Sequence, residues 1–290
     1  MTALVQCVPN FSEGRRPDVI AAIVEAVRGT AGVRLADWSA DPDHNRMVVT
    51  FVGPPDAVRT AALAAAAVAV ARIDIGRHAG VHPRLGALDV LPFVPLQGLN
   101  LADCAVLARE VGEELAARHG LPVFLYESAS PQARSLPVVR REAFRTLAAD
   151  FGPAVPHPTA GAAIVGARGA LIAYNVALAT PDVAVARAIA RELRGQADLP
   201  GVRALGLALP SRGLTQVSMN LTRPAETPLL AVFRRVEAGA RARDTSVAGS
   251  EVIGALPGYS AFGVLGDALR AVGLKPGQVL WESWEKGESE

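Results

Sequence analysis

Apolar residues recur along the first part of the chain with two spacings, and each change of spacing marks a new element. Val19, Ile20, Ile23, Val24 and Val27 share one face at the helical period, behind Pro17 and closed by Gly29, so "PDVIAAIVEAVRG" predicts a helix. The preceding "ALVQCVP" reads as a short strand. After the helix, "VRLADWS" and "RMVVTFVG" read as two strands joined by the polar turn "ADPDHN", most simply a hairpin. A helix over Pro55–Arg72, a strand in "ALDVLPFVP", a helix over Leu101–His119 and a strand in "PVFLYES" follow. This succession predicts helices packed on one face of a mixed sheet.

Between residues 130 and 161 the chain is richer in proline and loses its period. "AAIVGARGALIAYNVAL" then reads as a hairpin turning at Ala167, Arg168 and Gly169. A helix over 182–194, strands in "VRALGLAL" and "LTQVSMNLT", and helices over 227–243 and 259–272 complete a second β-β-α-β-β-α-like unit. The fold class expected is therefore α+β, two-layered, with two subdomains of mixed or antiparallel sheet and helices on one face. The boundary is placed near residue 178, giving units 1–178 and 179–290. No solenoid period, P-loop or dinucleotide fingerprint interrupts this pattern.

Composition narrows the class. Of 290 residues 50% are apolar and 20% charged, which gives a globular chain with a substantial core. A net charge of +1 implies no nucleic-acid partner. The basic residues are all arginine except Lys275 and Lys286, and arginine matters here only inside a motif, where its planar fork can hold a carboxylate. "AALAAAAVAVA" is about half the ~20 residues that span a bilayer, so no membrane helix is expected. The N-terminal "MTALVQCVPNF" lacks the basic and apolar regions of a signal peptide, and the cytoplasm is the expected compartment. Cys7 and Cys104 fall in a strand and a helix and read as two buried thiols rather than a disulfide.

Chemistry concentrates in three predicted loops. "RHAGVHPRLGALD" carries His78 and His82 four residues apart, the spacing of a helical zinc pair, but Gly80 and Pro83 argue against a helix and no further ligand cluster lies near, so no metal is expected. His82 is stiffened by Pro83, followed by Arg84 and then by a buried strand, a mount that suits a general base; a plain surface loop is the alternative. "ADPDHNRMV" offers Asp41, Asp43, His44, Asn45 and Arg46, or is only a polar hairpin turn. "FGPAVPHPTAGA" surrounds His157 with three prolines and two glycines, as either a stiff site loop or a linker. His119, before Gly120, reads as a structural helix end. The serines lie outside any nucleophile-elbow pattern.

Taken in order, "CVPNFSEGR", "DHNRMVVTFVGPP", "HAGVHPRLGALDVLPFVPL", "PVFLYE", "GARGALIAYNV" and "QVSMNL" resemble the glutamate formimidoyltransferases, or formiminotransferases, over nearly the whole chain. The stand-alone form is the better match, since 290 residues leave no room for the cyclodeaminase module fused to some relatives. The resemblance implies two α/β subdomains meeting along a ligand groove, a homodimer, and transfer of a formimino group from N-formimino-L-glutamate to tetrahydrofolate as co-substrate, a step of histidine breakdown. It implies His82 as the acid/base. It places the folate segment on Gly152, Pro153, Pro158 and Gly161, with His157 among them, and a further folate contact at Gly201. Some relatives have an aspartate where this chain has Ser39.

Such chemistry needs one group that titrates near neutrality and fixed cations for substrate carboxylates. Arg46, Arg77 and Arg84 are the candidate anchors, Asn45 a partner for the formimino nitrogen, Asp89 an orienting carboxylate and His78 a supporting ring. Two alternatives stay open on the residues: a folate-binding relative without turnover, and a transferase with another one-carbon donor.

Overall fold

A computed structural model describes residues 2–269. The chain divides into two compact units between Gly169 and Ala170. The first holds β1 (Leu4–Cys7), β2 (Asn10–Phe11), α1 (Pro17–Arg28), β3 (Arg34–Asp41), β4 (Arg46–Gly53), α2 (Pro55–Arg72), β5 (Leu88–Gln97), α3 (Leu101–His119), β6 (Val123–Glu127), α4 (Leu136–Glu142) and β7 (Ala163–Ala167). The second holds β8 (Ile172–Leu178), α5 (Val183–Leu193), β9 (Val202–Leu209), β10 (Leu214–Leu221), α6 (Leu229–Arg241), β11 (Val247–Ile253) and α7 (Gly258–Leu269). Of the expected helix 259–272, residues 270–272 lie outside the described residues.

Local chemistry explains the long helices. All five periodic residues of α1 are buried, each stabilising the fold by about 1.5–3 kcal/mol relative to exposure. In α2 the buried face is largely alanine, so the helix packs closely with little side-chain bulk between it and its neighbours. A capping box opens α3: the Asn100 side chain accepts from Ala102 N at 2.7 Å and Asp103 N at 3.1 Å, while Asp103 accepts from Asn100 N at 2.8 Å. Gly120, at φ 60°, ends the same helix.

The first sheet has seven strands. β3 lies at one edge beside β4; β1 and β2 both lie between β4 and β5; β7 and β6 continue beyond. The pairs β5–β7 and β7–β6 are parallel and the rest antiparallel, so the sheet is mixed. Its main core gathers residues of α1, α2 and α3. Helix α4 departs from the one-face expectation: Val139 joins Val90, Phe124 and Ile164, whose side chains alternate with those of the main core, on the other face of the sheet.

The expected hairpin at 167–169 does not form. β7 pairs with β5 and β6, whereas β8 pairs with β10 and β11 in a separate antiparallel sheet of order β11-β8-β10-β9. The division of the chain therefore falls at 169/170 rather than near 178. In the second unit α5 and α6 cover the face carrying Tyr174, Val176, Val217 and Met219. Cys7 and Cys104 are free and buried, and no helix among the described residues is long and apolar enough to cross a membrane.

Candidate active site

Sheet topology collects the candidate loops at one edge of the first unit. β2 runs antiparallel to β4 and β5, with Phe11 opposite Met47 and Leu88, so the end of β2 meets the starts of β4 and β5. β7 runs parallel to β5 and begins beside it. Four connections consequently converge: Ser12–Arg16, the β3–β4 turn at 42–45, the stretch from His78 to Ala87, and the loop before β7. Hydrogen bonds lock them together. Ser12 Oγ donates to Gly86 O at 2.7 Å, Gly14 N to Asn45 Oδ1 at 2.9 Å, Asn45 Nδ2 to Ala79 O at 3.1 Å, and Ala87 N to Ala160 O at 2.8 Å.

His82 lies half-buried in this ring of loops. Its Nδ1 is 2.8 Å from Pro83 O, an atom that can only accept; the tautomer with its hydrogen on Nδ1 satisfies that carbonyl and leaves the Nε2 lone pair for a donor. Arg46 Nη1 stands 2.7 Å from Nδ1 and hydrogen-bonds Nε2, while Arg46 Nη2 donates to Asn10 Oδ1. The His44 ring lies 5.9 Å away, tilted by 43°. Burial, followed by the positive charges of Arg46 and Arg140, holds His82 well below the ordinary histidine pKa; the Pro83 carbonyl opposes them without reversing the direction. Burial and Arg84 lower His78 as well. The ring at position 82 is thus a neutral base at neutral pH, with a cation at its basic nitrogen.

Positive charge exceeds negative charge around this ring. Burial pushes Arg46 down to about 10, with Asp89 opposing and Arg140 and Arg84 reinforcing the fall. Burial also lowers Arg84, again with Asp89 opposing and Arg15 and Arg140 adding to it. The Nε atoms of Arg46 and Arg140 are buried and have no hydrogen-bond partner among the described residues. A set of cations with unmet donors favours an anionic or strongly accepting ligand.

Each candidate residue has a definite place. Arg84 is a clamp: Nη2 donates to His82 O at 2.8 Å and His44 O at 3.1 Å, Nε donates to His82 O at 3.2 Å, and Nη1 meets the His78 ring. Arg77 is exposed and lies 3.5 Å from Asp74. Asp89 is buried; Oδ1 accepts from Leu85 N at 2.7 Å and Oδ2 from Arg140. Asn45 holds its turn at φ 46°.

In the expected folate segment Gly152, Pro153 and Pro158 are exposed and His157 is half-buried. His157 Nδ1 accepts from Ala160 N at 3.0 Å, and its backbone exchanges two hydrogen bonds with Gly161. Gly161, at φ 69°, crosses Leu85 and Gly86 so closely that a Cβ would strike Leu85 O. The segment is thereby fastened to the His82 stretch. Gly201 belongs to the second unit, in the turn before β9, where its carbonyl accepts from Thr222 N at 3.0 Å and Oγ1 at 2.9 Å.

Reading the sequence missed Arg140, which sits in a seven-residue helix inside the stretch without a period. It also missed Asn10 and Glu13, although both lie within "CVPNFSEGR". Glu13 is buried and fixes its loop by accepting from Arg15 N at 2.9 Å, Arg16 N at 3.0 Å and Arg16 Nε at 2.6 Å. Burial raises its pKa, but these donors outweigh burial and leave it lowered. Among the described residues no group of three His, Cys, Asp or Glu is placed to hold a metal ion.

Residues 4–168 match the family described as the formiminotransferase domain, N-terminal subdomain, and residues 173–263 match the formiminotransferase domain. The two matches meet on either side of the division between the units, and the chain belongs to the formiminotransferase family. It is 38% identical to a glutamate formimidoyltransferase of Streptococcus pyogenes serotype M1, over 89% of this chain and 90% of that one. It is 37% identical to a glutamate formimidoyltransferase of Thermoplasma acidophilum over 98% of both chains. A formimidoyltransferase-cyclodeaminase of Gallus gallus is 42% identical over 89% of this chain and 51% of its own length.

Proposed function

We propose that this chain is a glutamate formimidoyltransferase that moves the formimino group from N-formimino-L-glutamate to tetrahydrofolate, giving 5-formimidoyltetrahydrofolate and L-glutamate, with His82 as general acid and base. The names of its relatives support the reaction. One observation carries the mechanism: the His82 ring stands on the Pro83 carbonyl inside a cluster of arginines, an arrangement that favours its neutral form.

In this reading a substrate carboxylate draws Arg46 Nη1 off His82 Nε2, and the folate amine attacks the formimino carbon and loses its proton to the freed nitrogen. The resulting imidazolium stands beside Arg46, which makes it a strong acid. It returns the proton to the glutamate nitrogen as the tetrahedral intermediate breaks. The Arg46 and Arg140 donors left without partners favour the substrate carboxylates, while Asn10, Arg84 and Asp89 hold the loop geometry. A positioned acid/base contributes roughly 10²–10⁴ in rate. Tetrahydrofolate is a co-substrate here, and the exposed segment from Gly152 to Gly161, fastened to the His82 stretch, is its proposed contact in the first unit. The two buried free thiols suit a reducing cytoplasm. A homodimer is part of the same proposal, by likeness to the family.

The test is formation of 5-formimidoyltetrahydrofolate from formiminoglutamate and tetrahydrofolate, comparing the natural chain with His82→Ala. A loss of at least ~100-fold in a folded variant supports both reaction and base. A chain that binds folate without producing it has another donor or no turnover.

A further inference from the structure

Helix α4 brings to His82 an arginine whose role the loop geometry alone does not explain. Val139 packs on Val90, which pairs with Asn10, and Asn10 pairs with Val48; α4 therefore lies on the sheet face from which Asn10 and Arg46 project. Arg140 is the next residue after Val139. An irregularity in the sheet brings its partner to it. Asn10 pairs with Val90 and Phe11 with Leu88, so Asp89 is an extra residue at that step, and the bulge turns it from the core face of Leu91 and Phe93 towards α4. The charge of Arg140 is felt at three neighbours: after burial and Arg46 at His82, after burial and Asp89 at Arg46, and after burial, Asp89 and Arg15 at Arg84.

Two features mark Arg140 as a ligand group. Its side chain is only 18% exposed, yet Nε is buried with no hydrogen-bond partner among the described residues, and an unmet donor on a buried cation is best satisfied by an anion. Asp89 meets the guanidinium with one oxygen, because the other accepts from Leu85 N at 2.7 Å. Other arginines near the ring are occupied by backbone carbonyls, Arg84 by those of His44 and His82 and Arg15 by that of Pro42 at 2.8 Å. That leaves Arg140 and Arg46, whose Nε is likewise buried and unmet.

The chemistry of the donor divides these two arginines. In N-formimino-L-glutamate the α-carboxylate sits on the carbon that bears the reacting nitrogen, whereas the side-chain carboxylate lies two methylene groups further off. Arg46 touches the His82 nitrogen that must reach the donor nitrogen, and Arg140 follows it in influence on the ring. The carboxylates of tetrahydrofolate are separated from its reacting amine by the whole aminobenzoyl spacer, too far for cations beside His82. We infer that Arg140 reads the side-chain carboxylate of the donor, with Arg46 on the α-carboxylate, and thereby selects glutamate among formimino amino acids. The inference rests on the function proposed above and adds to it the residue that sets donor specificity.

Arg140→Lys tests this inference, because lysine keeps a positive charge for Asp89 and loses the planar fork. The double substitution Arg140→Gln with Asp89→Asn is the second variant, since it removes both halves of the buried pair rather than stranding one. Steady-state kinetics with tetrahydrofolate are measured on N-formimino-L-glutamate and on N-formiminoglycine, which has the α-carboxylate alone. Both variants are expected to lose about 10- to 100-fold of the natural chain's preference for formiminoglutamate, through KM for that donor, as loss of a charged hydrogen-bond partner gives. Variants that keep the preference, including by equal loss on both donors as a merely structural role gives, overturn the donor assignment and leave the proposed reaction standing. So does a natural chain without the preference, or a rise in KM for tetrahydrofolate in place of that for the donor. A natural chain that turns over neither donor overturns both.

Discussion

Asp89 and Arg140 form an ion pair whose side chains are 2% and 18% exposed, and the other carboxylate oxygen of Asp89 takes the N–H of Leu85. One carboxylate thus joins α4 to the stretch that carries His82. It is also the negative charge that opposes the lowering of Arg46 and Arg84.

Asp89→Ala removes one half of a buried pair and leaves Arg140 uncompensated, a change that costs about 3–5 kcal/mol. Urea unfolding of this variant should show a loss of that size. Asp89→Asn keeps an acceptor for Leu85 N and should lose less stability than Asp89→Ala. Equal stability of all three proteins would mean that the pair contributes nothing to holding the loop.

After burial, Arg46 is the largest influence on the charge state of His82. Its guanidinium adds to burial in lowering the histidine, so the acid limb of kcat/KM should lie below the ordinary histidine value of about 6.5. Replacing the cation with a neutral side chain, Arg46→Gln, removes one of the lowering causes and should move that limb to higher pH. An unmoved limb in Arg46→Gln would assign the titration to another group.

Much of the fold could be read because helices announce their own ends. Pro55 and Arg72 bound α2 as expected, and Asn100 with Gly120 brackets α3, since caps are local chemistry. Strand partners are not local. "AIVGA" and "IAYNVAL" are both apolar and separated by a short glycine-containing turn, which looks the same whether they pair with each other or, as here, enter different sheets. β11 went unseen because an exposed edge strand such as "VAGSEVI" needs no alternation. At the site, His82 and Arg46 each stood out within a motif, but only the antiparallel register brings the guanidinium onto the ring across 36 residues. Arg140 left no signal: its helix is seven residues long and its partner, Asp89, is 51 positions away.

Arg84 separates two roles. As a carboxylate anchor its loss would raise KM; as the clamp seen here, with donors on His44 O and His82 O, its loss loosens the catalytic loop. Lysine keeps the charge but not the planar fork. Arg84→Lys should therefore lower kcat by about 10- to 100-fold, the penalty of a misplaced catalytic group, with KM little changed. A raised KM at full kcat would restore the anchor.

Acid should destabilise the folded chain through its histidines before its carboxylates titrate. Burial lowers His82, His78 and His119, assisted by Arg46 and Arg140 at the first, Arg84 at the second, and Arg118 and His157 at the third. Below about pH 6.5 the unfolded chain takes up these protons while the folded chain resists them, so the unfolded state binds more protons and stability falls with falling pH. Above that value all three are neutral in both states and the dependence vanishes. Thermal unfolding at about pH 7.5 and about pH 5.5 should show a lower midpoint in acid, and His82→Ala should narrow the gap. If the gap is as wide in the variant, His82 is not held below its ordinary value, and the neutral base on which the mechanism depends is lost with it.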